Sequence, residues 1–175
     1  MMTRLLACGF AAAVALSPAV AAAQDNPMMA AAKGQHDLIK GNILKSAEKI
    51  PDTLYSFQPT PEVRTMGQLF GHIADSNYAI CAAAGGEKPP VSGIEKSKTT
   101  KADLQKALAD AFAYCDKVIA GMDDKKGAEV IKFFTGMTPR ALVLGFNFAH
   151  NYEHYGNLVT YMRINKIVPP SSGGN

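Results

Sequence analysis

Two cysteines sit at matching depths in two helical segments. Cys81 lies sixteen residues past Thr65, and Cys115 lies fifteen past Thr100. The polar stretch GGEKPPVSGIEKSKTT joins the segments and leaves about fifteen residues for the connection. At a reach of roughly 3.3–3.6 Å per residue, it can cross the whole length of a helix bundle. A crossover makes the two helices parallel and brings the sulfurs level. A tight turn makes them antiparallel and leaves the sulfurs about 20 Å apart at 1.5 Å per residue, far outside bridging distance. The crossover and a Cys81–Cys115 disulfide therefore support each other.

Four helical segments are predicted. The first covers about 36–49, with Leu38, Ile39, Ile43, Leu44 and Ala47 at helical spacing and Pro51 ending it. In the second, Thr65 and Gln68 have the spacing of a capping box, and Gly85–Gly86 stop the helix. The third, 101–121, carries a stripe of Leu104, Ala107, Leu108, Ala111, Cys115 and Val118. An extended piece is expected at EVIKFF. Thr138 is then expected to cap a fourth helix, with Pro139 at its first position, running to about Asn165. Strand signals are otherwise scarce. The expected fold is all-α: a four-helix bundle in up-down-down-up order, with the long crossover between helices two and three.

Ahead of the bundle, MMTR is a short basic start, and LLACGFAAAVAL is too short to span a bilayer. The A-x-A pattern ending at Ala23 completes a secretory signal peptide. The expected organisation is a cleaved signal over 1–23, a flexible segment over 24–35 and the bundle over 36–172. The destination is periplasmic or secreted, with no membrane span in the mature chain. Removing Arg4 with the signal leaves 17 of the 18 basic residues against 15 acidic ones, a balance too mild for a nucleic-acid binder. Cys8 leaves as well, so Cys81 and Cys115 are an even pair in an oxidising compartment.

The histidines carry the chemistry. His150 and His154 stand four apart and share a helix face. That spacing lets one helix offer two nitrogens to a metal ion, although two core histidines bonded to tyrosines would show the same spacing. HNYEH also fits the inverted zincin pattern H-x-x-E-H. That chemistry needs a downstream acidic ligand, and no Asp or Glu follows Glu153. His72 lies about two turns below the start of the second helix. An antiparallel fourth helix places His154 about two to three turns below the same end, so His72 is the candidate third ligand. His36, at the start of helix one, is expected to be exposed or capping. Three histidines leave a coordination position open, the pattern of a reactive site. Such ligation suits Zn²⁺, Ni²⁺, Cu²⁺ or Fe²⁺, with Zn or Ni as the leading expectation.

TPEVRTMGQLFGHIADSNYAICAA, KADLQKALADAFAYCDK and HNYEHYGNLVTYMRINKIVPPSS together resemble the DinB family in its exported branch. The resemblance implies the up-down-down-up bundle and a metal held by His72, His150 and His154. It transfers chemistry poorly, because relatives include thiol-dependent S-transferases and isomerases alongside many members without a known reaction. The expected function is therefore metal-dependent hydrolysis or thiol S-transfer on a small-molecule substrate. Glu153 is the candidate catalytic base, and Asp75 the candidate carboxylate orienting His72. Tyr78, Tyr152 and Tyr155 are candidate pocket residues. The alternative is a non-catalytic metal-binding or sensing module of the cell envelope. The tail after Pro169–Pro170 can pack over the bundle end or act as the arm of a homodimer.

Overall fold

The computed structural model describes residues 25–173; the expected signal peptide and its cut after Ala23 lie outside them. The chain is predominantly helical. In order come α1 (Pro27–Lys49), a 3-10 turn at Asp52–Leu54, α2 (Met66–Gly85), the short α3 (Ile94–Ser97), α4 (Lys101–Ala120), the short α5 (Asp124–Gly127), β1 (Val130–Phe133), β2 (Gly136–Pro139), α6 (Arg140–Ile164) and a 3-10 turn at Pro170–Ser172. Among the described residues, no helix is long and apolar enough to cross a membrane.

The first helix begins at Pro27, not near His36, so most of the segment expected to be flexible is helical. Pro27 occupies a position where no backbone N–H is needed. The carboxylate of Asp124 accepts from the Met28 and Met29 N–H groups at 3.0 and 2.8 Å. The side-chain oxygen of Asn26 in turn accepts from the Asp124 N–H. This clasp satisfies donors that a helix start leaves open. At the other end, Lys101 donates to the Glu48 and Ile50 carbonyls, while Tyr55 and Gln105 donate to that of Ala47.

The capping box of Thr65 and Gln68 forms as the sequence indicates, and Gly86 closes α2 with φ of 81°. A bond between Cys81 and Cys115 joins α2 to α4. Near the opposite end of the same two helices, Gly67 packs against Leu104. Both helices therefore run in one direction. α6 runs against α2: the guanidinium of Arg140, at its start, donates to the Ala84 carbonyl near the end of α2.

The extended piece expected at EVIKFF is β1, paired antiparallel with β2 from Val130↔Pro139 to Phe133↔Gly136. Thr138 belongs to β2, so it does not cap the last helix, which starts at Arg140 after Pro139. The hairpin holds the backbone extended through Pro139. The tail turns back onto the helices: the Ser171 N–H donates to the Tyr155 hydroxyl, and Arg163 donates to that of Ser172.

The apolar interior falls into two clusters. One contains Ile39, Phe70, Ile73, Leu108, Phe112 and Leu158. The other surrounds the disulfide with Ile80, Ile119, Val143, Leu144 and Phe148. Asn77, Asn147 and Asn151, all fully buried, fall between the two along α2 and α6. The Asn77 side-chain oxygen accepts from the Asn147 and Asn151 amides at 2.7 and 3.0 Å. Burying amides is costly unless they are bonded, so these two bonds favour one register of α6 against α2. His72 lies five residues before Asn77, and His150 lies between the two other asparagines.

Candidate metal centre

That register brings three imidazoles together. His72 on α2 and His150 and His154 on α6 each offer a ring nitrogen, and the three nitrogens lie within 4.8 Å of one another. The His150 Nε2 is 3.2 Å from that of His72 and 3.0 Å from that of His154. Nitrogens sharing one ion at about 2.0–2.1 Å stand roughly 3.3 Å apart in a tetrahedral set. The cluster is close to that spacing. Three neutral imidazoles cannot satisfy one another here. A single N–H on His150 Nε2 can point at only one neighbour, which leaves lone pairs facing each other. A cation at the centre resolves the conflict, so the residues fit a metal ion.

The electrostatics agree. Burial, then repulsion from His150 and His72, lowers the His154 pKa to about 4. Burial and the His72 charge also hold His150 below the ordinary histidine range. Neutral rings are what a metal requires. Among the described residues, the buried Nδ1 of His150 has no hydrogen-bond partner.

Glu95 is the residue sequence reasoning missed. Its Oε2 lies 3.1 Å from His72 Nδ1, and its Oε1 accepts from the Arg64 guanidinium at 2.9 Å. Burial opposes its ionisation, but Arg64 and then His72 hold its pKa below the usual carboxylate range. An ionised Glu95 accepts a hydrogen bond from the Nδ1–H of His72, which leaves the bare Nε2 facing the other rings. Among the described residues, Asp75 makes no hydrogen bond to His72, contrary to expectation. Its two oxygens instead accept from the Ile94 and Glu95 N–H groups, both at 2.9 Å. Asp75 thus anchors the short helix that carries the orienting carboxylate.

His36 is not exposed. It is fully buried, 2.8 Å from Asp116, and packed against Phe112 and Phe148. It takes no part in the triad. Ala79, one helical row on from His72, faces solvent, so His72 sits at the edge of the buried stripe of α2.

An open cavity of about 520 Å³ adjoins His154, and its walls include Arg64, Glu95, Glu153, Asn157 and Tyr161. Glu153 is exposed there, without a hydrogen bond or ion pair among the described residues. Of the tyrosines considered as pocket residues, Tyr155 is buried and holds the tail, and Tyr78 packs against Tyr114. Tyr161 lines the cavity instead.

This is a helical protein with a three-histidine cluster that could hold a metal ion beside a solvent-open cavity. The chain belongs to the DinB superfamily, which it matches over residues 35–158. Its fold is similar to that of a DinB-like protein from Bacillus cereus, with 17% identity and a TM-score of 0.67 over 75% of this chain and 89% of that one. It is also similar to a DinB-like protein from Bacillus subtilis, with 19% identity and a TM-score of 0.60 over 73% and 85%. No curated protein matches the chain.

Proposed function

We propose that this chain is an exported metal-dependent enzyme acting on a small molecule, by hydrolysis or by transfer to a thiol. The carrying observation is the convergence of His72, His150 and His154 beside an open cavity. A structural site is closed by a fourth protein ligand, whereas a reactive one keeps a position for substrate. Among the described residues, no fourth His, Cys, Asp or Glu joins the cluster. The long helices form an up-down-down-up bundle in this reading, supported by the parallel α2–α4 pair and the antiparallel α2–α6 pair.

His72, His150 and His154 would hold the ion. Zn²⁺ or Ni²⁺ suits the nitrogen set. Bound there, it would act as a Lewis acid toward a water, thiol or carbonyl. Glu95 keeps His72 in the ligand tautomer. With Glu95 engaged by Arg64 and His72, Glu62 and Glu153 are the cavity-wall carboxylates left to take a proton, and Glu153, next to His154 in the chain, is the candidate. Export rests on the signal-like residues 1–23 and accords with the Cys81–Cys115 bond. A homodimer is compatible with this reading.

Elemental analysis of untagged protein tests it. Stoichiometric Zn or Ni is expected in the wild type, with loss of metal in His72→Ala, His150→Ala and His154→Ala. Wild-type metal content in all three variants would end the assignment. If metal binds but no ester, lactone or thiol substrate turns over, the non-catalytic envelope module becomes the better reading. If turnover is found, Glu153→Gln should lower kcat by roughly 10²–10⁴-fold with the metal retained.

A further inference from the structure

Beside the triad, toward the start of α6, lies an aromatic shelf. Phe134, at the hairpin tip, is 70% exposed, and Phe146 on α6 is 41% exposed. Their ring centroids are 5.5 Å apart, and Phe133 stands 4.3 Å from Phe134 and 5.5 Å from Phe146. Water-facing aromatic surface of this kind is unfavourable unless something covers it. Phe133 is tied into the disulfide-side core, so the shelf has a fixed base.

The shelf adjoins the histidines. The Phe146 ring lies 6.3 Å from that of His150, one helical turn along α6. Residues 146, 150, 153 and 157 follow one stripe of that helix, so shelf, triad and cavity wall succeed one another along a single face. The backbone at Phe134 has a φ of 50°, in the left-handed region where glycine is at ease. Phe134 is the first residue of the two-residue turn between β1 and β2, where hairpins of this kind take that conformation. The turn presents its ring beside that of Phe146.

We infer that Phe134 and Phe146 form an apolar subsite for the ligand of the histidine centre, so the substrate is a small amphiphile. Its polar reacting group lies at the triad, and an aryl or alkyl group extends over the shelf. The inference rests on the metal-site reading above and narrows its substrate class. The stripe along α6 argues for this occupant: a molecule anchored at the triad and extending toward the start of α6 meets the Phe146 ring, 6.3 Å from that of His150. The polar lining of the cavity, with Arg64, Glu95 and Glu153, suits the other end of such a molecule.

The test uses Co²⁺-loaded full-length protein titrated with acetohydroxamate and with benzohydroxamate, followed by visible absorption. Benzohydroxamate should bind roughly tenfold more tightly. In Phe134→Gly, which relieves the backbone and removes the ring, the two affinities should converge to within about threefold with Co²⁺ affinity unchanged. Phe146→Ala should do the same. Equal affinities in the wild type overturn the shelf alone, leaving the metal site standing. Absence of Co²⁺ binding overturns both. A concentration-dependent dimer in sedimentation that Phe134→Gly abolishes, with hydroxamate preference unchanged, assigns the shelf to a second copy of the chain and also overturns the inference.

Discussion

Gly71 and Glu95 are in backbone contact: a Cβ placed on Gly71 would lie 2.6 Å from the Glu95 Cα. No side chain fits between them. This close approach lets α3 lie on α2 and sets the Glu95 carboxylate beside the neighbouring His72. Gly71→Ala should therefore act at a distance from the metal. It should destabilise the fold by about 1–3 kcal/mol through overpacking and weaken Zn²⁺ binding. Gly145→Ala is the control, because among the described residues nothing lies within 4 Å of its added Cβ. It should gain about 0.5–1 kcal/mol from helix propensity. Urea melts with chelator competition on both variants separate the two effects.

Glu95→Ala should lower Zn²⁺ affinity by roughly 10–100-fold, the usual cost of removing a carboxylate that orients a ligand histidine. Asp75→Ala should lower it less, since Asp75 acts only through the α3 backbone. Competition against a fluorescent chelator at pH 7.5 measures both. Equal affinity in Glu95→Ala and the wild type would show that the Glu95–His72 contact has no role in metal binding.

The disulfide closes a 34-residue separation. A loop of that length corresponds to about 3–4 kcal/mol of stability in the chain-entropy account. Protein made in an oxidising compartment should show an intact mass two hydrogens below the free-thiol value. Cys81→Ala with Cys115→Ala should lower the denaturant midpoint correspondingly. Both sulfurs are buried, so the native protein should resist reductants that act once it is unfolded.

His36 gives a pH signature separate from the triad. Burial lowers its pKa, and although the Asp116 carboxylate pulls the other way, burial prevails. Lys40 adds repulsion and Asp37 a weaker attraction. The unfolded chain, with an ordinary histidine pKa near 6.5, thus binds the proton more readily than the folded one. The His36 contribution to stability is complete above about pH 6.5 and declines as pH falls toward the lower folded value. His36→Gln should make the loss of stability between pH 7.5 and 5.5 shallower than in the wild type. Parallel slopes in thermal melts of the metal-free proteins would contradict this.

Features written in local spacing could be read from the sequence. The Thr65–Gln68 cap, the Gly85–Gly86 stop, the equal depth of the cysteines and the four-residue step from His150 to His154 each follow from helix geometry alone. The approach of His72 to that pair followed from the crossover. The missed features depend on contacts between distant segments. Glu95 sits in a loop whose polarity suggested only a linker, and its signal was Gly71, a glycine inside a helix beside a candidate ligand. The buried asparagines resembled ordinary polar positions, and their bonds form only when α2 and α6 meet. His36 looked exposed because its helix was expected to begin at that residue rather than nine positions earlier, at Pro27. Thr138 carried a cap signal, but the hairpin partner of β1 took it into a strand.

The Asp124 clasp also bears on where the protein can be cut. The superfamily match begins at residue 35 and ends at 158. Trimming to those limits would remove Met28 and Met29, leaving the Asp124 carboxylate facing no helix start. It would also remove the Ser171 N–H that engages Tyr155, the neighbour of His154. The segment that can be recognised by likeness is thus shorter than the segment that closes on itself. Expression boundaries are better placed outside Asn26 and Ser172, whose side chains take part in these contacts, than at the edges of the match.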